Sequence, residues 1–307
     1  MHVALEKYRN HLAGLLPGKP ISSPLAPLGA GTRTRQRLDR VGQIFLQGCR
    51  EALEADTLDA LALRLNMVDP EVRGFAYEGA GMGLALFDHL TQWKMERLQC
   101  FVAGAGAVHI YTLYVGAGLA LARLRQPVEG LLARLDPTLG WLVLDGYGFH
   151  EGLFWHKYAY PERLSGYALR AFDQGLGRSI WFGCAGEIDQ MASIISTFAP
   201  SRQRDLWSGI GLACTYAGIV ERAVLEQLWL RAGSSASYIV QGVAIAAKIR
   251  QLAGNAALHT ELACQVFCHT SDESAARATD LALEHLSSTE ADPAYEVWRQ
   301  RIRLRFI

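Results

Sequence analysis

Gly209-Ile-Gly211-Leu-Ala213 is the stretch whose reading decides the fold. Glycine costs about 1 kcal/mol relative to alanine inside a helix. Two glycines one residue apart in an apolar run therefore make sense only where another backbone must come close. The same pattern recurs as Gly79-Ala-Gly81-Met-Gly83, Gly116-Ala-Gly118-Leu-Ala120, Gly146-Tyr-Gly148-Phe-His150, Gly175-Leu-Gly177-Arg-Ser179 and Gly242-Val-Ala244-Ile-Ala246. Successive first glycines are 37, 30, 29, 34 and 33 residues apart. A period in this range marks stacked supersecondary units. Apolar runs follow the motifs and no strand precedes them, so the units read as helical hairpins. The small residues on the first helix of each would let the second helix pack against it.

Working outward, the connectors Asp136-Pro137-Thr-Leu-Gly140, Ala199-Pro200-Ser201 and Gly233-Ser234-Ser235 stop helices between copies. The segment 206–252 looks much like two tetratricopeptide-type repeats in spacing and small-residue placement. The expected fold is all-α, a tetratricopeptide-like superhelix of about six stacked hairpins with a concave groove as its binding surface. Residues 1–40, rich in proline and glycine, are set apart as a turn-rich extension. Residues 41–286 form the repeat domain, and 287–307 a basic C-terminal tail.

The chain has 307 residues, half of them apolar, with 30 basic and 30 acidic side chains. A real core fits that composition. A balanced charge provides no field for binding nucleic acid or an anionic membrane. The six cysteines form no C-x-x-C and read as buried free thiols in a reducing compartment. Glu6, Lys7 and Arg9 interrupt any N-terminal signal peptide. A cytoplasmic location is expected. Residues 98–122 carry no acidic or basic side chain except His109 and are long enough to span a bilayer. Their polar residues and a turn at Gly104–Gly106 favour two shorter helices buried in protein.

The exceptions in the repeat point to a site. The fifth motif slot holds a small residue except at His150, and the fourth is apolar except at Arg178. Asp145, Asp173 and Gln174 flank the two central copies, with Glu78 just before the first. A buried guanidinium without a partner would cost several kcal/mol. Arg178 is therefore expected to face the groove or to pair with Asp173, Asp145 or Glu151. Glu151 beside His150 would raise the imidazole pKa and form a proton-transfer pair. The candidate catalytic set is Asp145, His150, Glu151, Asp173 and Arg178. The competing reading is a set of ion pairs that fix neighbouring repeats. Alanine fills the His150 slot in other copies and leucine the Arg178 slot, which predicts that His150→Ala and Arg178→Leu fold. Aromatic residues crowd the same copies. With Glu78 and Gln174, the residues Tyr147, Phe149, Phe154, Trp155 and Trp181 are candidate binding residues for an extended apolar or conjugated ligand. His150 and His156 sit six apart, about 120° round a helix, so one helix cannot chelate with them. No metal or organic cofactor motif is present.

The runs Trp141-Leu-Val-Leu-Asp-Gly-Tyr-Gly-Phe-His-Glu-Gly152, Phe172-Asp-Gln-Gly-Leu-Gly-Arg-Ser-Ile-Trp-Phe182 and Asp205-Leu-Trp-Ser-Gly-Ile-Gly-Leu-Ala-Cys-Thr-Tyr-Ala-Gly218 resemble the bacterial domain-of-unknown-function family 1702. Glu78-Gly-Ala-Gly-Met-Gly83 and His259-Thr-Glu261 fit it too. The resemblance covers about residues 30–285. It implies a setting beside enediyne-type polyketide synthases, and hence a linear polyene or similar apolar intermediate. It supplies no catalytic residues and no mechanism. Two functions follow. One is a cofactor-independent cyclase or isomerase of the polyene, working by acid–base chemistry. The other is a non-catalytic module that holds the chain or docks other enzymes of the pathway. A homo-oligomer is compatible with either.

Overall fold

The computed structural model describes residues 32–92, 96–218, 221–286 and 292–306. Most of the turn-rich extension, residues 1–31, lies outside them. The described residues are helical throughout, with no strand among them. In chain order the helices are α1 (Thr32–Glu54), α2 (Leu58–Asn66), α3 (Pro70–Leu90), α4 (Arg97–Ala103) and α5 (Ile110–Leu124). Next come α6 (Glu129–Leu132), α7 (Leu142–Trp155), α8 (Ala168–Cys184), α9 (Ile188–Ser196) and α10 (Pro200–Ala217). The last are α11 (Arg222–Ala232), α12 (Ala236–Leu252), α13 (Leu258–Phe267), α14 (Asp272–Leu283) and α15 (Ala294–Leu304).

Local chemistry sets several boundaries. The Thr57 hydroxyl accepts from Ala60 N–H at the start of α2, and Ser271 accepts from Ser274 N–H at the start of α14. Asp69 caps α3 ahead of Pro70, and Pro200 opens α10. In the predicted connector before α7, Asp136 Oδ1 accepts from the N–H groups of Thr138 and Leu139.

The long helices α1, α3, α5, α7, α8, α10, α12 and α14 form one inner row, each packed on the next. All six glycine motifs lie on this row. Their role differs from the expectation of contact within a hairpin. Residues i and i+2 point about 200° apart on a helix, so the first small residue faces the preceding inner helix and the second faces the following one. A Cβ on Gly116 would lie 1.9 Å from the Glu78 carbonyl oxygen of α3, and one on Gly118 1.9 Å from that of Val143 in α7. On α8, Gly175 lies against Asp145 of α7 and Gly177 against Leu206 of α10 in the same way. Inner helices thus touch backbone to backbone on both sides. This is why α3 is buried at nearly every position from Val72 to Asp88.

Shorter helices α2, α4, α9, α11 and α13 lie between the inner ones in sequence. The third copy departs from the pattern. Between α7 and α8 no second helix forms, and residues 156–167 are irregular. Pro161 and Gly166 break any periodicity there. The apolar stretch that could cross a bilayer by length, Ala107–Leu124, is 72% buried. It runs from a 3-10 turn into α5, which packs between α3 and α7. The turn at residues 104–106 is present. Five of the six cysteines are buried, Cys100 is exposed, and all are free thiols.

The inner face is filled rather than open as a groove. Tyr216 of α10 packs its ring edge-on to Phe75 of α3 at 5.2 Å. Arg250 of α12 donates to the Glu71 carbonyl at 3.1 Å, and Arg37 of α1 to the Ala217 carbonyl at 3.0 Å. Residues 294–304, assigned to a tail by sequence, form α15. Its Tyr295, Trp298 and Arg299 are fully buried, and Trp298 Nε1 donates to the Thr279 carbonyl at 2.9 Å.

Candidate functional site

The exceptions that carry charge separate into three places, and His150 lies apart from all of them. Asp145, Gln174, Arg178 and Glu78 come together in the core. Arg178 donates to Asp145 at 2.5 Å and to Glu78 at 3.2 Å, linking α8 to α7 and α3. Gln174 donates to Asp145 at 2.8 Å and to Tyr295 Oη at 3.1 Å. Gln241 donates to Ser208 Oγ at 2.8 Å, and Ser208 in turn donates to Gln174 at 3.4 Å, so one polar network joins six helices. Burial works against ionisation of Glu78 and raises its pKa despite Arg178. Burial alone would lower the Arg178 pKa, but Asp145 and Glu78 raise it. All four side chains are sealed, with Arg178 only 4% exposed. Phe149 lies under the Arg178 guanidinium at 4.8 Å, edge-on to Phe182 at 5.5 Å. Trp181 is core. These residues hold helices together and line neither of two clefts found among the described residues.

Asp173 pairs with a residue the sequence did not point to. Arg202 of α10 binds it through Nη2 at 2.6 Å and through Nε at 3.1 Å, and Tyr160 donates to it at 2.5 Å. Of the three partners expected for Arg178, it takes Asp145 and not Asp173, because Arg178 points to α3 and α7.

His150 and Glu151 do not form a pair. Neighbouring residues on a helix point about 100° apart. The His150 ring packs against Phe154 at 5.1 Å and Trp155 at 4.8 Å, and its Nδ1 is buried with no partner among the described residues. Burial, helped by Arg123, pushes its pKa down to about 3, opposite to the expected rise. His150 is therefore neutral at physiological pH. A histidine held below its unfolded value contributes stability above about pH 6.5, and loses it as pH falls toward 3. Replacing His150 with leucine, which keeps the space filled, should flatten the acid limb by about 1.4 kcal/mol per pH unit between those limits. Urea titrations at stepped pH measure this. An unchanged acid limb would mean that the imidazole protonates freely in the folded protein.

Glu151 occupies the third place. It lines an open cleft of about 510 Å³ with Tyr147, Trp155, Tyr158 and Tyr160. That volume suits a small molecule. The cleft occupies the place where the third copy lacks its outer helix, floored by α7 and bounded by residues 157–164 and 125–129. Arg125 and Lys157 both lie over the Trp155 ring at 5.2 Å. Glu151 Oε1 is buried without a hydrogen-bond partner among the described residues. Burial raises the Glu151 pKa, with Lys157 and Arg125 opposing. A carboxyl group on an aromatic wall, its pKa raised by burial, is suited to general acid–base work.

Of the candidate residues, Tyr147, Glu151 and Trp155 share the first cleft, and Asp173 lines a second. Phe154 is half-buried beside His150. Tyr158 and Tyr160 belong to the aromatic crowding read from the sequence, whereas Arg125, Lys157 and Arg202 were missed. For Lys157 the signal was the loss of helical periodicity over 156–167; Arg125 and Arg202 carried none.

A family model described as "Protein of unknown function (DUF1702)" matches residues 29–306. No curated protein and no solved structure matches the chain. With nearly the whole length matched, the chain belongs to that family.

Proposed function

We propose that this member of the DUF1702 family takes an apolar, polyene-like chain into the first cleft and shifts its double bonds by acid–base chemistry at Glu151. The observation that carries this reading is the unpartnered, buried Glu151 Oε1 on an aromatic wall. A carboxylate there takes a proton from an allylic carbon and, as the acid, returns it to another carbon of the same chain. No electrons enter or leave, so no redox partner is required. Tyr147, Trp155, Tyr158 and Tyr160 would hold the chain by stacking and apolar contact. The family resemblance of the three long runs supports an enediyne-type polyketide pathway as the setting and a cytoplasmic, soluble protein. The tetratricopeptide-like superhelix of about six hairpins belongs to the same proposal. The alternation of long inner and shorter outer helices supports it, with the third copy as the exception.

One observation favours a second reading, a binding module that holds the chain or docks pathway enzymes. Asp145 and Arg178 are sealed in the core, and His150 is neutral, so the first cleft keeps a single acid–base group from the candidate catalytic set. Glu151→Gln separates the two. The amide should fold normally, since it removes an ion that the site does not pair. Loss of a general acid–base group should cut product by about 10²–10⁴-fold. The readout is metabolite output from a host carrying the variant, beside its melting curve. Product within about threefold of wild type, below any general acid–base contribution, would sink the catalytic reading and leave the binding module.

A further inference from the structure

The second cleft, of about 430 Å³, differs in chemistry from the first. Arg170, Arg202, Arg204 and Arg303 line it, with Tyr160 and Tyr238. Three carboxylates oppose them. Asp173 binds Arg202, and Glu296 binds Arg170, Arg303 and the buried Arg299. Asp205 binds Arg170 and Arg299. Five guanidiniums meet these three carboxylates, and Gln300, which also lines the cleft, donates to a fourth, Asp292, so a net positive charge surrounds a space the protein does not fill.

The donors of that excess are free to bind. Among the described residues, no nitrogen of Arg204 makes a hydrogen bond. Its guanidinium lies 6.0 Å from the Tyr238 ring centre. Arg202 spends Nε and Nη2 on Asp173 and the Tyr158 carbonyl, and Arg170 spends Nε and Nη2 on Asp205 and Glu296. Nη1 of each stays without a hydrogen-bond partner among the described residues, and neither is a buried atom. Guanidinium forks tied to carboxylates through some nitrogens and keeping others spare match the geometry of carboxylate and phosphate oxygens.

Tyr160 joins the two clefts, because it lines both. Its ring lies under the Arg202 guanidinium at 3.9 Å, and its hydroxyl is tied to Asp173. One rigid aromatic ring thus separates an aromatic cleft from a cationic one.

We infer that the second cleft anchors the oxyanion head, carboxylate or phosphate, of an amphipathic molecule whose apolar tail lies in the first cleft. This rests on the reading of the first cleft as the holder of the chain. The substrate class narrows accordingly, from any apolar polyene to a chain that ends in an acid. The head group sets how far along the chain Glu151 reaches, since Tyr160 fixes the step between the two clefts.

The test uses trans-parinaric acid, a conjugated tetraene carboxylic acid whose fluorescence rises on apolar burial, against its methyl ester. The full chain should bind the acid at least about tenfold more tightly than the ester, the worth of one charged hydrogen bond. In Arg204→Glu the gap should close while ester binding stays unchanged. Arg204 is exposed and unpaired among the described residues, so this variant should fold. Trp155→Ala should weaken acid and ester by the same factor. Equal binding of acid and ester by the wild type, or a gap that survives Arg204→Glu, overturns the inference and leaves the first cleft intact. If neither probe binds, the first-cleft reading fails, and the second cleft is judged on inorganic phosphate alone. A phosphate-dependent rise in melting temperature at matched ionic strength, lost in Arg204→Glu, then supports an anion site, and no rise overturns it. Competition by laurate against dodecyl phosphate distinguishes the two heads. Equal competition by uncharged dodecanol would overturn both.

Discussion

Arg178→Leu is expected to cost about 3–5 kcal/mol of folding stability, the usual penalty for breaking a buried ion pair. Leucine occupies the same motif slot at positions 119 and 212, and on that ground alone the change looks harmless. The surroundings decide otherwise. Asp145 and Glu78, 1% and 4% exposed, would be left in the core without their cation. The melting temperature should fall by roughly 10 °C, taking about 2–4 °C per kcal/mol for a chain of this size. The defect should shrink on acidification. Burial already raises the Glu78 pKa, and without Arg178 the carboxyl would take up a proton more readily still. Adding Glu78→Gln and Asp145→Asn to a methionine at 178 should restore most of the loss, because the core then holds no unpaired charge. A single Arg178→Leu variant that melts within a few degrees of wild type would show that these carboxylates are not sealed.

The second large effect separates two glycines of the same helix. Gly175→Ala places a Cβ 1.7 Å from the Asp145 carbonyl oxygen and 2.8 Å from Phe149 N. Both are backbone atoms of α7, so no rotamer change relieves the overlap and the helices must separate. A loss of about 3 kcal/mol or more is expected, the upper range for overpacking. Eight residues on, a Cβ at Gly183 meets nothing within 4 Å. Gly183→Ala should therefore be neutral or stabilise by up to about 1 kcal/mol through helix propensity. Urea unfolding of both variants reads the contrast. Similar midpoints would mean that the glycine pairs do not set the spacing of the inner row.

The glycine period makes the row of closely packed helices legible in the amino-acid order alone, since close backbone approach is its steric cause. What the glycines touch is harder to read. Their spacing of two residues is the available clue, because positions 200° apart must serve two neighbours. The polar exceptions stand out for a sound reason, that a packing slot rejects charge, and Asp145 with Arg178 does meet. Sequence cannot tell a sealed triad from an open site, as that depends on α15 and on contacts from α10 and α12 to α3. Glu296 and Arg299 escape notice because they sit outside the repeat, where no aligned copies exist to make them exceptions. Glu151 draws attention through its neighbour His150, yet its position depends on the irregular segment 156–167, where the repeat fails.

The contacts across the array, Tyr216 with Phe75, Arg250 with the Glu71 carbonyl and Arg178 with Glu78, set this protein apart from arrays whose units touch only their neighbours. In such arrays stability accumulates unit by unit, and length can drift by gain or loss of whole repeats. Here the first and last thirds close on one another, and removing any unit from the middle would pull both partners out of register. The number of units is therefore locked by geometry, and divergence has to proceed through loops, such as the one that replaces an outer helix beside Glu151.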